Sequence, residues 1–381
     1  MFDFTVAETP SFWQCLICTI GFLFVLFLNY NDAVIRIKPV HQSKAKERFF
    51  LFCFIFLAVF YMADTDFFHY QRLVVSDLSI DYPQYNTIEI VYAYITQFVS
   101  RNYLLFRIIV WGAASLIVFW AIKRYLGSGF YGLYVLFVSY MGVFSYARVS
   151  LSMSIFFLGL SFLSINNKKF IYVLCGLILI AVSFEFHHSA LLLIALTPIV
   201  LVPFNKKLFI LILILLPLFS FFLEHAFQFL AVSDLFSEET VKGGVSGGIA
   251  SYLEAEESQD MSIIMRLRKV YGYLTFIIPF IIISISVFNK KKELEISKGL
   301  LQLYKVALGI IIVSLCTIPI FGGGVMFYRT LYMLMIPNSI LIVGLFKESI
   351  LSYKRFRFII SFNMIYMIID YLYSIYCAIV R

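Results

Sequence analysis

The stretch FYGLYVLFVSYMGVFSYARVSLSMSIFFLGLSFL, Phe130 to Leu163, and the one that follows it, FIYVLCGLILIAVSFEFHHSALLLIALTPIVLVPF, Phe170 to Phe204, decide the fold. Each is apolar apart from one polar interruption near its middle: Arg148 in the first block, and Glu185, His187 and His188 in the second. About 35 residues at ~1.5 Å each make ~52 Å of helix, far more than the ~30 Å of a hydrocarbon core. Each block therefore reads as a helical hairpin with its polar group at the tip. An arginine in the middle of a lipid-facing helix costs on the order of 2.5–3.5 kcal/mol, whereas a tip lies in wet interface. Arg148 and His187 are then expected at one depth, on one side of a membrane.

Working outward, the whole chain has the same character. It is 62% hydrophobic, 19% aromatic and only 14% charged, the composition of an all-α polytopic membrane protein forming one transmembrane domain over residues 1–381. About twelve spans are expected, near 12–29, 49–63, 103–122, 130–146, 149–165, 170–186, 189–203, 208–223, 271–288, 301–320, 331–346 and 358–378, some short enough to be re-entrant. The first has acidic Asp3 and Glu8 before it and no basic leader, so it reads as a retained helix. Cys15, Cys18, Cys53, Cys175, Cys316 and Cys377 all fall in apolar runs, as small buried hydrophobes rather than disulfide partners or metal ligands. No metal site and no cofactor are expected.

The net charge of +8 is not a nucleic-acid footprint, because of where it sits. Alternate connections hold 20 of the 30 basic residues and 5 of the 22 acidic ones, which marks them as cytoplasmic. The other side, with the segment 64–102, both hairpin tips, the long loop 224–270 and the segment 321–330, is rich in acid. It nevertheless keeps Arg72, Arg101, Arg107, Arg148, Arg266, Arg268 and Arg329. Arginine's planar fork holds phosphate or carboxylate bidentately, so this bias points to an anionic ligand at the outer face. In 64–102, Ile88, Val91, Tyr92, Ile95 and Phe98 recur at helical spacing, as in an amphipathic helix lying at the interface. The loop 224–270 is glycine-rich, a lid candidate. Asp370 stands alone in an otherwise apolar span, either paired inside the bundle or on an ion path.

Several elements together resemble a known family. Asp66 with Tyr70, then Glu89, then Y-A-R-x-x-L-x-x-S-I from Tyr146 to Ile155, F-H-x-S-A-L from Phe186 to Leu191 and Y-R-x-L-Y from Tyr328 to Tyr332 are similar to the EpsG/Wzy-type polymerases of bacterial surface polysaccharides, O-antigen included. The resemblance implies a GT-C-like fold with an outward-facing cavity and a bacterial inner-membrane location, with the active site on the periplasmic side. It also implies a metal-independent glycosyltransferase without a nucleotide sugar, transferring a growing glycan from undecaprenyl pyrophosphate to a lipid-linked repeat unit. Partners would be that lipid-linked oligosaccharide, the bilayer and a chain-length regulator, with no nucleic acid. Arg148 would meet the pyrophosphate. His187, with Glu185 or Glu89 as the alternative, would be the base, though His187 would serve equally as a donor to the pyrophosphate. Asp66, Tyr70, Arg72, Tyr146, His188, Arg266, Arg268, Arg329 and Tyr332 would line the substrate path.

Two other classes fit a chain of about twelve spans. A lipid-linked oligosaccharide flippase or transporter would use Asp370 for coupling, but alternating access would need a polar cluster on the inner face to match the outer one. A membrane acyltransferase or glycan ligase would have different access requirements for its histidine.

Overall fold

The computed structural model describes residues 12–28, 30, 44–60, 74, 90–100, 102–164, 170–187, 189–205, 207–208, 210–216, 218, 220, 263–289, 296–321 and 325–380. Regular structure among them is entirely helical. In chain order the helices are α1 Phe12–Leu28, α2 Lys44–Phe60, α3 Ile90–Phe98, α4 Tyr103–Leu126, α5 Phe130–Phe144, α6 Ala147–Ser164 and α7 Phe170–Phe186. Then come α8 Ala190–Leu196, continued by a 3₁₀ turn Thr197–Val200, and α9 Ile263–Asn289, α10 Lys298–Phe321, α11 Val325–Tyr332, α12 Met335–Lys347 and α13 Tyr353–Val380. Four stretches are long and apolar enough to cross a membrane, Tyr103–Leu126, Leu267–Phe288, Lys298–Ile318 and Tyr353–Tyr373, and shorter apolar helices lie between them.

Most of the twelve stretches expected as spans are helical where described, with differences at their ends, but only four of the described helices are long and apolar enough to cross a membrane. The sequence reading assigned 224–270 to a loop, yet α9 starts at Ile263. Arg266, Arg268 and Lys269 lower the hydropathy there, but Arg268 has a partner, Asp370 of α13, so the charge no longer argues against helix. The span expected at 208–223 falls largely outside the described residues. In α3, Tyr92 is buried as the spacing predicts, but Phe98 is 75% exposed and Val99 takes the inward place. The cause is local: the helix ends at Phe98 and the chain turns through Ser100 in a left-handed conformation, φ 48°.

α5 and α12 form the centre. α5 is buried from Phe130 to Met141 and again at Val143 and Phe144, α12 from Met335 to Leu345, and the two pack on each other. A helix apolar all round belongs in a core, and here the core is enclosed by the remaining helices. α7 has the same composition and the opposite fate. Of its side chains only Gly176, Ile180 and Ser183 are buried, while Phe170, Ile171, Leu174, Leu177, Ile178 and Val182 point outward. Outward apolar faces recur at Phe24 and Phe27 of α1, Phe52 and Phe56 of α2 and Ile365 and Ile369 of α13. A surface of that kind is stable only against lipid.

One polar knot crosses the core. Pro279 inside α9 has no N–H, which frees the carbonyl four residues earlier, Thr275. Tyr140 donates its hydroxyl to that carbonyl at 3.2 Å and Asn363 its amide at 3.3 Å, and Asn338 donates to the neighbouring Phe276 carbonyl at 3.2 Å. Unpaired carbonyls are costly in an apolar interior. Side chains from α5, α12 and α13 thus all converge on the kink of α9.

Candidate functional site

The two bends seen in the sequence are real, the first stitched by polar side chains and the second by backbone hydrogen bonds. After α5 the chain turns at Ser145 and Tyr146 and resumes in α6. The Ser145 hydroxyl donates back to the Gly142 carbonyl at 2.5 Å, and the Ser150 hydroxyl donates to the carbonyls of Phe144 and, at 2.8 Å, Tyr146. The indole N–H of Trp111 in α4 donates to the Ser145 carbonyl at 2.9 Å. These donors satisfy carbonyls that the end of α5 would otherwise leave bare. Trp111 is itself held by Arg107, whose guanidinium lies 4.1 Å from the indole. Arg107 is fully buried and donates to the Val59 carbonyl, to the Ala58 carbonyl at 3.1 Å and to the Tyr103 hydroxyl at 3.1 Å. It closes the C-terminus of α2, so this one of the seven outer arginines does structural work.

The second bend follows α7. The His187 N–H donates to the Ser183 and Phe184 carbonyls at 3.3 and 3.2 Å, and the His187 carbonyl accepts from Ala190 at 2.9 Å, starting α8. Tyr92 of α3 meets Phe186 edge to face, 6.2 Å between ring centres. The amphipathic segment is thereby fixed beside the histidine.

What brings the bends together differs from the expected pair of hairpins. α6 packs on α7 and α4, not chiefly on α5. The α6–α7 seam is tight because two glycines face each other: a Cβ on Gly159 would stand 2.8 Å from the Gly176 carbonyl oxygen, and one on Gly176 2.9 Å from that of Gly159. Toward the bends, the Ser152 hydroxyl donates to the Ser183 carbonyl at 2.8 Å. Both contacts define one antiparallel register. A further turn along each helix, about 3.6 residues, arrives at Arg148 and at His187. The arginine and the histidine therefore stand at one level, on neighbouring helices, at one end of the bundle. Both side chains are half-buried, and Glu185 beside them is exposed.

A second centre lies at the same end. Tyr146, next to the first bend, stacks on Tyr332 with ring centres 5.3 Å apart, and Tyr332 meets Tyr328 at 4.3 Å. The phenols form a chain, Tyr332 engaging Tyr146 and Tyr328, and Tyr328 engaging Tyr366. A Cβ on Gly272 would lie 2.8 Å from the Tyr366 hydroxyl and 3.0 Å from that of Tyr328, so the glycine is what lets the two approach α9. Tyr366 then donates to Asp370 at 3.3 Å, and Asp370 holds Arg268 at 2.6 Å. The Arg268 guanidinium also lies 4.7 Å from the Tyr373 ring. Asp370 is thus paired inside the bundle. Arg329 is exposed on α11, one residue beyond Tyr328.

Of the residues singled out from sequence, Tyr146, Arg148, Glu185, His187, Arg268, Arg329 and Tyr332 fall among those described. Asp66, Tyr70, Arg72, Glu89 and His188 lie outside them. Arg266 belongs to α9, with its side chain likewise outside the description. Tyr366 and Gly272 were not anticipated. The spacing of Tyr366 and Asp370, one turn apart on one helix, was the available signal. Among the described residues no three His, Cys, Asp or Glu side chains cluster as a metal site would require.

A sequence model of the EpsG family matches residues 48–379. The chain belongs to the EpsG family. No curated protein and no solved structure matches it. The match begins within α2 and ends within α13, so it takes in both bends and the Arg268–Asp370 pair and leaves α1 outside. The motifs of this EpsG-family chain thereby agree with its matched span, and the family points to a polysaccharide-polymerase-like role. The apolar helices make it a multi-pass membrane protein.

Proposed function

We propose that this EpsG-family protein is a glycan polymerase of the outer membrane face. It would transfer a growing oligosaccharide from undecaprenyl pyrophosphate to the non-reducing end of a lipid-linked repeat unit, without metal or nucleotide, in a GT-C-like arrangement on the periplasmic side of the inner membrane. One observation carries this reading: the α6–α7 register sets a guanidinium and an imidazole at one level beside the amphipathic helix α3. In the transfer an acceptor hydroxyl attacks the anomeric carbon, the bond from that carbon to the pyrophosphate oxygen breaks, and the lipid pyrophosphate leaves with the electron pair. Arg148 meets the charge that develops on the leaving group, as a fixed cation in a partly dry site. The acceptor proton passes to a base, His187 or one of the carboxylates Glu185 and Glu89, in a single displacement. Tyr146 offers an aromatic face to the sugars with Tyr332 stacked behind it, while Arg329 and Arg266 add positive charge for the phosphates.

The competing flippase reading relies on a carboxylate open to a transported ion, and Asp370 is instead held by Arg268 and Tyr366. The test is the length distribution of surface glycan. Cells lacking the protein should display single repeat units in place of a ladder. Arg148→Ala and His187→Ala copies should insert in the membrane and fail to restore the ladder. Loss of all surface glycan, with lipid-linked repeats retained inside, would sink the polymerase reading in favour of the flippase.

A further inference from the structure

The end of the bundle opposite the two bends contains a cavity of about 300 Å³ lined by Tyr131, Val343, Phe346, Lys347, Ser349, Leu351, Ser352, Tyr353 and Phe356. Its walls divide into two kinds. Val343, Phe346, Leu351 and Phe356 are hydrocarbon, and the Lys347 ammonium with the hydroxyls of Ser349 and Ser352 is polar. Lys347 donates to the Leu126 carbonyl at 3.0 Å and lies 5.7 Å from the Tyr131 ring. Arg357 is not part of the lining; its guanidinium lies 5.5 Å from the ring of Tyr353, which is. One cation and two hydroxyls therefore line one amphipathic hollow. Among the described residues the acids nearest in the chain or the field are occupied: Glu348 accepts from the Ser297 N–H at 3.2 Å, and Glu47 accepts from the Gly129 N–H at 2.6 Å and pairs with Lys123.

The backbone adds an independent observation. α12 ends with Ser349 at φ 57°, the left-handed conformation that glycine normally supplies after a helix. The turn is stitched by the Ile350 and Leu351 N–H groups, both donating to the Leu345 carbonyl, at 2.8 and 3.0 Å. A serine there is strained where glycine would not be, and strain of this kind persists where a side chain is wanted. Ser349 lines the cavity.

The geometry points to a binding site for an anionic glycerophospholipid of the leaflet at the basic end, its phosphate between Lys347, Ser349 and Ser352 and an acyl chain against Phe346 and Phe356. Basic pockets between membrane helices recognise phospholipid headgroups in this way. This site is separate from the polymerase reading and stands or falls without it.

The test is competition in the intact protein. The full chain in mixed micelles doped equally with phosphatidylglycerol and phosphatidylcholine should retain phosphatidylglycerol in native mass spectrometry. Lys347→Gln should weaken that preference about fivefold, the share of one cation at a charged headgroup. Lys354→Gln, exposed and outside the cavity, should leave it unchanged. Ser349→Gly separates binding from folding, because it should raise the thermal midpoint while lowering phosphatidylglycerol retention. Equal retention of the two lipids, retention of undecaprenyl phosphate in place of phosphatidylglycerol, or a Ser349→Gly protein that binds as tightly as the parent would each overturn the proposal.

Discussion

The two ends of the bundle use charge in different ways. At the basic end, apart from Lys347 at the cavity, charge serves the backbone. Lys305 donates to the Val200 and Val202 carbonyls at 2.7 and 2.6 Å, closing the 3₁₀ turn after α8. Glu47 accepts from the N–H of Gly129 at the start of α5, where the helix dipole favours an anion. At the opposite end Arg107 does the same work for α2, but the second set of polar groups turns toward side chains: Arg268 to Asp370, Asp370 to Tyr366, and Tyr146 to Tyr332 and Tyr328. A cation that satisfies helix carbonyls explains itself by folding. A network of side chains holding one another is expensive to build in an apolar bundle and marks a place where chemistry or binding is done. The same residue type thus separates into scaffold and site according to what it touches.

The sharpest way to break this comparison is Arg107→Leu. The substitution keeps volume in a fully buried position but removes every donor to Val59, Ala58 and the Tyr103 hydroxyl. Buried acceptors left bare cost about 1–3 kcal/mol each, so a loss of roughly 3–5 kcal/mol is expected. Thermal unfolding in detergent should show it as the largest single-site effect at this end. Arg107→Lys should recover little, since one ammonium does not reproduce the fork's three directions. If Arg107→Leu unfolds with the parent while glycan synthesis stops, Arg107 belongs to the site and the division between scaffold and site fails.

Next in size is Gly159→Ala. The added methyl would stand 2.8 Å from the Gly176 carbonyl oxygen, a backbone atom, so α6 and α7 must separate. Overpacking of this kind costs about 1–3 kcal/mol. Its more telling consequence is a lost register between Arg148 and His187. A Ser152→Cys/Ser183→Cys pair should cross-link readily in the parent and poorly with Gly159→Ala present. The glycan ladder should shorten in step. An unchanged cross-link with a shortened ladder would show that the level of the two bends does not govern activity.

How much of this was legible beforehand depends on the distance in sequence over which each feature is made. The bends at Ser145 and His187 were legible because polar residues interrupt apolar runs too long for one crossing. The fates of α5 and α7 were not, because both are nearly continuous apolar runs and hydropathy does not distinguish burial in protein from exposure to lipid. Tyr131, Tyr134 and Tyr140 in α5 were the missed hint, since phenols sit inside a bundle only where partners exist, as Tyr134 finds the Leu26 carbonyl at 3.1 Å. Gly159 and Gly176 were likewise visible as small residues suited to close helix approach. Their facing each other was not visible, and with it the pairing of α6 with α7 instead of two separate hairpins. The bond between Arg268 and Asp370 spans the connection from α9 to α13, beyond anything periodicity reports.

The smallest effect should come from Lys123→Met at the basic end. Lys123 meets Glu47 at 3.3 Å, but its side chain is 36% exposed, against 9% for Glu47. A pair half in water contributes little, at most about 1 kcal/mol, because its attraction is screened and two long side chains must be held still. The carboxylate would not be stranded by the change. It keeps the Gly129 N–H at 2.6 Å and the field of the α5 N-terminus, while Met gives up only the ammonium's approach to the Phe119 ring, 5.3 Å away. Thermal unfolding of Lys123→Met should therefore fall close to the parent, and Glu47→Leu well below it, since that variant bares the backbone donor. Should Lys123→Met prove as damaging as Arg107→Leu, the ion pair and not the helix terminus would be what holds the basic end, and the contrast between the two ends would lose its physical basis.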